Sequence, residues 1–180
     1  MPEAVSEGTR VNRSVIRLIK DDVTDLEVDA FVFYAQSDLA LGSGFGGAIT
    51  VRGGATIQKE LDELAPVATG ETVVTAAGKL KADHIIHAVG PKFLEPDMEG
   101  KLRTTVRNTL RRAEEIRIKR LAAPAMGAGY YGIAPEVCAR VMLEVMKEHL
   151  EGDTGLDEII ICVLDTPQYT AFQNQLTKLG

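Results

Sequence analysis

The sequence lacks several features that would place the protein in a specialised class. Its two cysteines, Cys138 and Cys162, have neither the spacing of a metal site nor that of a disulfide framework, and both fall in apolar segments. No apolar run approaches the length of a membrane span, and the chain does not begin with the basic and apolar segments of a signal peptide. We therefore expect buried thiols, no bound metal, no membrane partner and a cytoplasmic location.

The sequence also lacks an excess of positive charge. Its 26 acidic residues outnumber its 20 basic ones, and the formal net charge is −6. A protein that binds the phosphate backbone of a nucleic acid needs a basic surface, so we expect no nucleic-acid partner. An anionic small molecule would have to be held by local dipoles and backbone N–H groups. No repeat, low-complexity segment or linker interrupts the 180 residues, which predicts one domain, and we expect a monomer.

The segments that are present alternate between two periodicities. Helical spacing links Leu102, Val106 and Leu110, extends over residues 134–150, and returns around Ile57 and after Thr166. Residues 1–12 are polar and predicted to be a loosely ordered lead-in. The alternation predicts an α/β domain with a largely parallel sheet. The apolar runs predicted to form strands are residues 15–19, 30–33, 72–76, 84–89, 121–125 and 159–164.

Two glycine-rich stretches follow predicted strands. We call residues 42–47 the first glycine loop and residues 127–132 the second glycine loop. Glycine allows a close approach of the backbone to a ligand, and a loop that opens onto a helix N-terminus is an anion site. The two loops therefore predict a ligand with more than one phosphate. The second loop reads GxGxxG, but the next predicted strand ends at Asp165, 33 residues past Gly132, which argues against a nicotinamide-dinucleotide oxidoreductase.

Several segments in order resemble the macro domain family. They are residues 21–30 (DDVTDLEVDA), 41–49 (LGSGFGGAI), 69–71 (TGE), 84–91 (HIIHAVGP) and 124–132 (PAMGAGYYG). The resemblance implies a macro domain over residues 13–180, with a three-layer α/β/α fold around a mixed, largely parallel sheet of six or seven strands. It also implies binding of ADP-ribose or a related NAD metabolite, free or attached to a protein, with no cofactor.

The resemblance also assigns roles to single residues. Asp22 would accept a hydrogen bond from the adenine amino group, and Leu164 would lie near the adenine. The second loop would wrap the diphosphate, while the first loop and Tyr131 would face the distal ribose. The ligand-contacting residues that the resemblance implies are Asp22, Val23, Gln36, Gly42, Gly44, Phe45, Gly46, Gly47, Gly127, Ala128, Gly129, Tyr130, Tyr131, Gly132 and Leu164.

The chain departs from the family pattern where hydrolytic members carry catalytic groups. Their N-A-A-N corresponds here to residues 33–36, FYAQ, so that Gln36 replaces an asparagine. Their loop aspartate, proposed to activate water, corresponds to Gly46, and their A-I-H histidine corresponds to Thr50. Phe33 and Tyr34 are expected to narrow the distal half of the pocket, and a pocket that binds nothing stays an alternative.

Binding is therefore favoured over turnover, and the catalytic residues are unknown. The alternative is a hydrolase of ADP-ribosyl esters, or an ADP-ribose-1″-phosphate phosphatase, that acts without the loop aspartate. Asp38 and Glu71 are the carboxylates that could replace the loop aspartate as a base, while His87 and His149 suit structural roles. If the scaffold is otherwise intact, Gln36→Asn combined with Gly46→Asp is expected to raise hydrolysis.

Overall fold

The computed structural model describes residues 8–179, which fold around one seven-stranded sheet. The strands are β1 (Thr9–Val11), β2 (Ser14–Lys20), β3 (Ala30–Ala35), β4 (Thr72–Ala76), β5 (His84–Val89), β6 (Arg120–Ala123) and β7 (Glu158–Val163). Their order across the sheet is β1-β2-β7-β6-β3-β5-β4. Five of the strands, from β2 to β5 in that order, are parallel, while β1 and β4 run antiparallel at the two edges.

Helices cover both faces of this sheet, which confirms the predicted three-layer α/β/α fold. The helices are α1 (Phe45–Gly53), α2 (Thr56–Leu64), α3 (Met98–Glu115), α4 (Pro135–Glu151) and α5 (Thr166–Leu179). Apolar side chains of α1 and α2 pack with Phe31 and Phe33 of β3 on one face. Those of α3, α4 and α5 pack with Val32 and Tyr34 of the same strand on the other face. Successive side chains of a strand point to opposite faces, so β3 contributes to both halves of the core.

Six of the seven strands coincide with the predicted apolar runs, and the seventh lies where no order was expected. Residues 1–7 of the predicted lead-in lie outside the described residues, but Thr9–Val11 form β1 and pair with β2. The backbone of this edge strand is ordered by its ladder to β2 rather than by an apolar pattern of its own. The prediction of a loosely ordered lead-in is therefore wrong for residues 9–11, which belong to the sheet.

Helix α1 begins inside the first glycine loop, at Phe45, although its sequence FGGAITVRG is poor in helix-forming residues. Burial of Ile49 and the packing of Phe45 against Phe33 stabilise it instead. Both cysteines are buried and unpaired. Among the helices of residues 8–179, none is long and apolar enough to cross a membrane.

Candidate functional site

A cavity of about 910 Å³ lies at the carboxyl edge of the parallel strands. Its position follows from the topology. Neighbouring strands β3 and β6 continue into α1 and α4, which lie on opposite faces of the sheet, so a crevice opens between the two connections. Open α/β sheets bind ligands at such a switch point. The volume is within the range of roughly 300–1,000 Å³ for small-molecule sites.

The cavity is long because it crosses four strand ends. Asp22 follows β2, Leu164 follows β7, the second glycine loop follows β6, and Gln36 follows β3, and all four contribute to its lining. The strands β2 and β3 are three steps apart in the sheet, which corresponds to about 14 Å at about 4.8 Å per step. The site therefore suits an elongated ligand that lies across the strand ends.

The first glycine loop presents the N-terminus of α1 to this cavity. Gly42 and Gly44 have φ values of 68° and 62°, which glycine adopts without strain. Gly44 is the N-cap of α1 and offers no side chain to the helix N–H groups. Within residues 8–179, the N–H groups of Gly44 and Phe45 donate to no protein acceptor. Free N–H groups and the helix dipole together favour an anion at this point.

The second glycine loop turns tightly on the other side of the crevice. Gly127 has φ of 90° and lies so close to Ile133 that a Cβ would meet the Ile133 side chain. Residues Gly129–Tyr131 form a single 3₁₀ turn, which ends where the Gly132 N–H donates to the Gly129 carbonyl at 2.9 Å. Within the described chain, the N–H groups of Gly129 and Tyr130 have no protein acceptor. The second loop thus supplies further main-chain donors.

Asp22 is the N-cap of a 3₁₀ turn, Val23–Asp25, at the β2 end of the cavity. Its Oδ1 accepts from the N–H of Thr24 at 2.9 Å and from the Thr24 hydroxyl at 2.6 Å, while Arg52 Nη1 lies 2.8 Å from its Oδ2. Partial burial alone would raise the pKa of the Asp22 carboxyl, but the bonds from Thr24 and the Arg52 guanidinium outweigh it and lower that pKa. This end of the cavity therefore carries a fixed, ionised acceptor.

Aromatic side chains surround the opposite end. Tyr34 and Tyr131 meet edge to face at 4.7 Å between ring centroids, and the Tyr34 hydroxyl donates to the buried carbonyl of Pro91. Burial raises the pKa of Tyr131 to about 12, with smaller contributions from Tyr130 and Asp38. Phe33 turns to the other face of β3 and packs on α1. Neither Phe33 nor Tyr34 closes the cavity, although both line it.

Carboxylates line only one end of the cavity. Of the residues that the structure describes, Asp21 and Asp22 are the acidic lining residues, and both follow β2. Asp38 does not line the cavity and accepts from the N–H of Ala40 at 2.9 Å. Glu71 does not line it either. Among the described residues, those that line the Gln36 end therefore provide main-chain donors, an amide, a hydroxyl and phenols, but no carboxylate or imidazole.

The two histidines considered from sequence are structural. His87 is fully buried, and its Nε2 lies 2.9 Å from the Thr75 hydroxyl. Burial lowers the pKa of His87 to about 3. His149, in the last turn of α4, lies 2.7 Å from the Glu114 carboxylate. Neither imidazole lines the cavity.

All of the ligand-contacting residues that were predicted line this cavity, with the exceptions of Gly47 and Gly132. Gly47 lies in the first turn of α1, and Gly132 closes the second loop against Phe93. Most of the lining residues that were not predicted from the sequence are close in sequence to predicted ones, and that proximity was the signal that could have found them. Gln168 has a weaker signal, since it is recognisable only as a polar residue in the first turn of the helix after β7. The missed lining residues are Lys20, Asp21, Ala40, Leu41, Ser43, Ala48, Pro124, Ala125, Cys162 and Gln168.

Comparisons with known proteins agree on one family. A family model described as "Macro domain" matches residues 34–142. An uncharacterized protein of Sulfurisphaera tokodaii is 42% identical over 164 residues, which cover 89% of this chain and 90% of that protein. A macro domain-containing protein of Caldanaerobacter subterraneus subsp. tengcongensis is 35% identical, with 91% of this chain and 97% of that protein covered.

Solved structures show the same fold. The Oceanobacillus iheyensis macrodomain with ADP is 24% identical and has a TM-score of 0.90, with 94% of each chain covered. A variant of that macrodomain with ADPR has a TM-score of 0.89 at 23% identity, covering 94% of this chain and 96% of that one. The Trypanosoma brucei macrodomain in complex with ADP is 26% identical with a TM-score of 0.84, covering 98% of this chain and 72% of that one.

Proposed function

This chain belongs to the macro domain family, and we propose that it binds ADP-ribose, free or attached to a protein, in the cavity at the carboxyl edge of its sheet. The similar Oceanobacillus iheyensis and Trypanosoma brucei macrodomains hold ADP or ADPR, which supports a ligand of this class. The proposal rests chiefly on the two sets of free main-chain donors that face each other across the crevice between β3 and β6.

These donors suit a diphosphate. The N-terminus of α1 supplies free N–H groups from one side and the second glycine loop supplies them from the other. Lys20 is the one basic residue among the described lining residues, so the anion is held mainly by main-chain dipoles. This agrees with a protein whose net charge is −6 and whose overall field does not attract anions.

The two ends of the cavity suit the two ends of ADP-ribose. At the β2 end, the ionised Asp22 offers an acceptor to the amino group of adenine, and Leu164 offers an aliphatic contact at 67% exposure. The distal ribose would lie at the Gln36 end. The rim there is open, since the side chain of Tyr130 is 82% exposed, and an attached polypeptide has room to leave the cavity.

Isothermal titration calorimetry tests the proposal directly. ADP-ribose is expected to bind more tightly than ADP, and ADP more tightly than AMP, because each shorter ligand leaves part of the cavity unfilled. Asp22→Ala is expected to weaken ADP-ribose binding at least about tenfold, because it removes a charged acceptor. Asp25→Ala is the matched control, since Asp25 lies in the same 3₁₀ turn but does not line the cavity. A folded protein with no affinity for ADP-ribose would refute the proposal.

The alternative, hydrolysis of the ligand, needs a base at the Gln36 end. Because the carboxylates among the described lining residues lie at the other end, we propose binding without turnover. Incubation with protein mono-ADP-ribosylated on acidic side chains, and separately with ADP-ribose-1″-phosphate, should release neither ADP-ribose nor inorganic phosphate. Release that survives Asp38→Ala and Glu71→Ala would instead indicate that the substrate's own phosphate orients the water.

A further inference from the structure

Three large hydrophobic side chains are exposed together at the open rim of the cavity. Within the described part of the chain, Phe93 is 55% exposed, Leu94 81% and Tyr130 82%. We call these three residues the rim patch. We propose that the rim patch docks an apolar side chain of the polypeptide to which ADP-ribose is attached, close to the modified residue. The inference rests on the proposed function, because the patch can act in this way only if the cavity holds ADP-ribose.

The rim patch belongs to two loops that are joined to each other. The N–H of Phe93 donates to the carbonyl of Tyr131 at 2.9 Å, and a Cβ at Gly132 would lie only 3.0 Å from the Cβ of Phe93. Tyr130 precedes Tyr131 in the second glycine loop, and the two rings meet edge to face at 5.2 Å between centroids. Phe93, with Leu94 next to it, and Tyr130 are therefore fixed to the same short turn.

The patch lies at the end of the cavity where the distal ribose is proposed to bind. Residues 91–95 follow β5, which is the parallel neighbour of β3, so they lie at the same edge of the sheet as Gln36. The hydroxyl of Tyr34, in β3, donates to the carbonyl of Pro91 and fixes the segment there. Tyr130 itself lines the cavity. A polypeptide attached to the distal ribose would leave the cavity at this rim, and for this reason we choose it as the occupant of the patch.

Leu94 occupies a turn whose backbone conformation is unfavourable for leucine. Its φ is 70°, a left-handed value that asparagine or glycine adopts more readily. Glu95 closes the turn, since its N–H donates to the Lys92 carbonyl at 3.2 Å and its carboxylate accepts from the Lys92 N–H at 3.4 Å and pairs with Lys101 at 3.2 Å. Neither the backbone nor burial in the core explains an exposed leucine here, whereas contact with a partner would explain it. Apolar side chains that are exposed as a group beside a binding site are typical of an interaction surface.

The chemistry of the patch suits an aliphatic side chain. Phe93 and Tyr130 provide aromatic rings, Leu94 provides a branched apolar end, and none of the three carries a charge near neutral pH. The charges of Glu95 and Lys101 in the same region are paired with each other. Burial of about half of a leucine side chain on such a surface corresponds to roughly a tenfold gain in affinity. A serine at that position of the polypeptide would gain almost nothing.

Paired peptide affinities test the proposal. Two synthetic peptides carry ADP-ribose on a central residue through an amide link, and they differ only in the residues that flank it, which are leucine in one peptide and serine in the other. Dissociation constants for both peptides and for free ADP-ribose are measured by isothermal titration calorimetry. We expect the wild-type protein to prefer the leucine peptide about tenfold.

Variants of Leu94 assign that preference to the patch. Leu94→Asn removes the apolar side chain but suits the left-handed turn, so it should lose most of the preference and bind free ADP-ribose as the wild-type protein does. Leu94→Met keeps an apolar side chain and should keep most of the preference. Val51→Asn is the matched control, because Val51 is an apolar residue of α1 that is 84% exposed and does not line the cavity. This variant should keep the full preference.

The outcomes separate the inference from the function on which it rests. Failure of the folded wild-type protein to bind free ADP-ribose would overturn both. Binding of free ADP-ribose with equal affinity for the two peptides would overturn the inference alone. It would also be overturned if Leu94→Asn kept the wild-type preference, or weakened free ADP-ribose as much as the leucine peptide. Sedimentation velocity tests the other occupant: a wild-type dimer that Leu94→Asn converts to a monomer would assign the patch to a second copy of the chain and refute the proposal.

Discussion

Gly46 sets the distance between the first turn of α1 and the backbone at Leu41, and we predict that a side chain at this position destabilises the protein. A Cβ there would lie 2.5 Å from the Leu41 carbonyl carbon and closer still to its oxygen. Carbon atoms in contact are ordinarily about 3.5–4.0 Å apart, so the overlap is about 1 Å. Because the Leu41 carbonyl belongs to the backbone, this overlap cannot be relieved by rotation of a side chain.

The neighbouring Gly47 provides a matched control in the same helical turn. A Cβ there would meet only the Gly42 carbonyl oxygen, at the ordinary distance of 3.5 Å. Replacement of a helical glycine by alanine gains up to about 1 kcal/mol, and overpacking costs about 1–3 kcal/mol or more. The free energy of unfolding is therefore expected to fall by about 1–3 kcal/mol in Gly46→Ala and to stay equal or rise by up to about 1 kcal/mol in Gly47→Ala.

Urea unfolding measures this difference directly. For a domain of this length, about 1 kcal/mol corresponds to roughly 2–4 °C in Tm, so thermal unfolding gives an independent check. Comparison within one turn removes most of the uncertainty about helix propensity. If Gly46→Ala is as stable as Gly47→Ala, the first turn of α1 moves freely and the argument from close packing is refuted.

The same geometry revises an expectation drawn from the sequence. Gln36→Asn with Gly46→Asp was expected to raise hydrolysis if the scaffold stayed intact. The close approach of Gly46 to Leu41 removes that condition, since an aspartate would force α1 or the first glycine loop to move. We now expect the double variant to lose stability and to show no turnover of ADP-ribosyl esters. A stable double variant that hydrolyses them would contradict this reasoning.

Three further predictions concern stability. Burial lowers the pKa of His87 from its ordinary 6.5 to about 3. The unfolded chain therefore binds an extra proton between these values, and the free energy of unfolding falls on acidification below pH 6.5 by up to about 1.4 kcal/mol per pH unit. In urea unfolding, His87→Phe should show a shallower decline. Arg112→Met should cost about 1–2 kcal/mol and raise hydrogen exchange in β4, because Arg112 donates to the Thr72 hydroxyl at 3.1 Å and to its carbonyl at 3.0 Å. Tyr34→Phe leaves the buried Pro91 carbonyl without its donor and should cost about 1–3 kcal/mol in urea unfolding.

The sequence predicts the parallel strands well because each is buried on both faces. All six residues of β3 are buried, so the strand reads as a continuous apolar run. The strand β1 has only three residues and no such run. Helix α1 contains three glycines within nine residues and forms because tertiary packing overrides propensity. The parallel strands were therefore predictable from their local sequence, whereas β1 and α1 form because of the elements packed against them.

The candidate site also combines features that have a local sequence signal with features that depend on contacts between distant residues. The two glycine loops carry a local signal, because main-chain donors require glycine at fixed positions, and the structure brings both loops to one crevice. The pairing of Arg52 with Asp22 joins residues 30 positions apart and has no local signal. Phe33 and Tyr34 are adjacent in sequence, yet they turn to opposite faces of β3. The cytoplasmic location, the monomeric state and the absence of a nucleic-acid partner rest on composition and stay predictions.

The proposed separation of binding from catalysis rests on the distribution of chemical groups in the cavity. In the proposed complex, main-chain donors would hold the diphosphate equally well before and during a reaction at the distal ribose, so they would lower the energy of the bound ligand without lowering the barrier. Acceleration needs a group that acts only in the transition state, and it would have to lie at the Gln36 end. There the polar side chains among the described lining residues are phenols, an amide and the Ser43 hydroxyl, while both carboxylates follow β2 at the far end. We therefore propose that this chain has the part of the site that confers affinity, while the described lining residues at the Gln36 end include no carboxylate that could activate water.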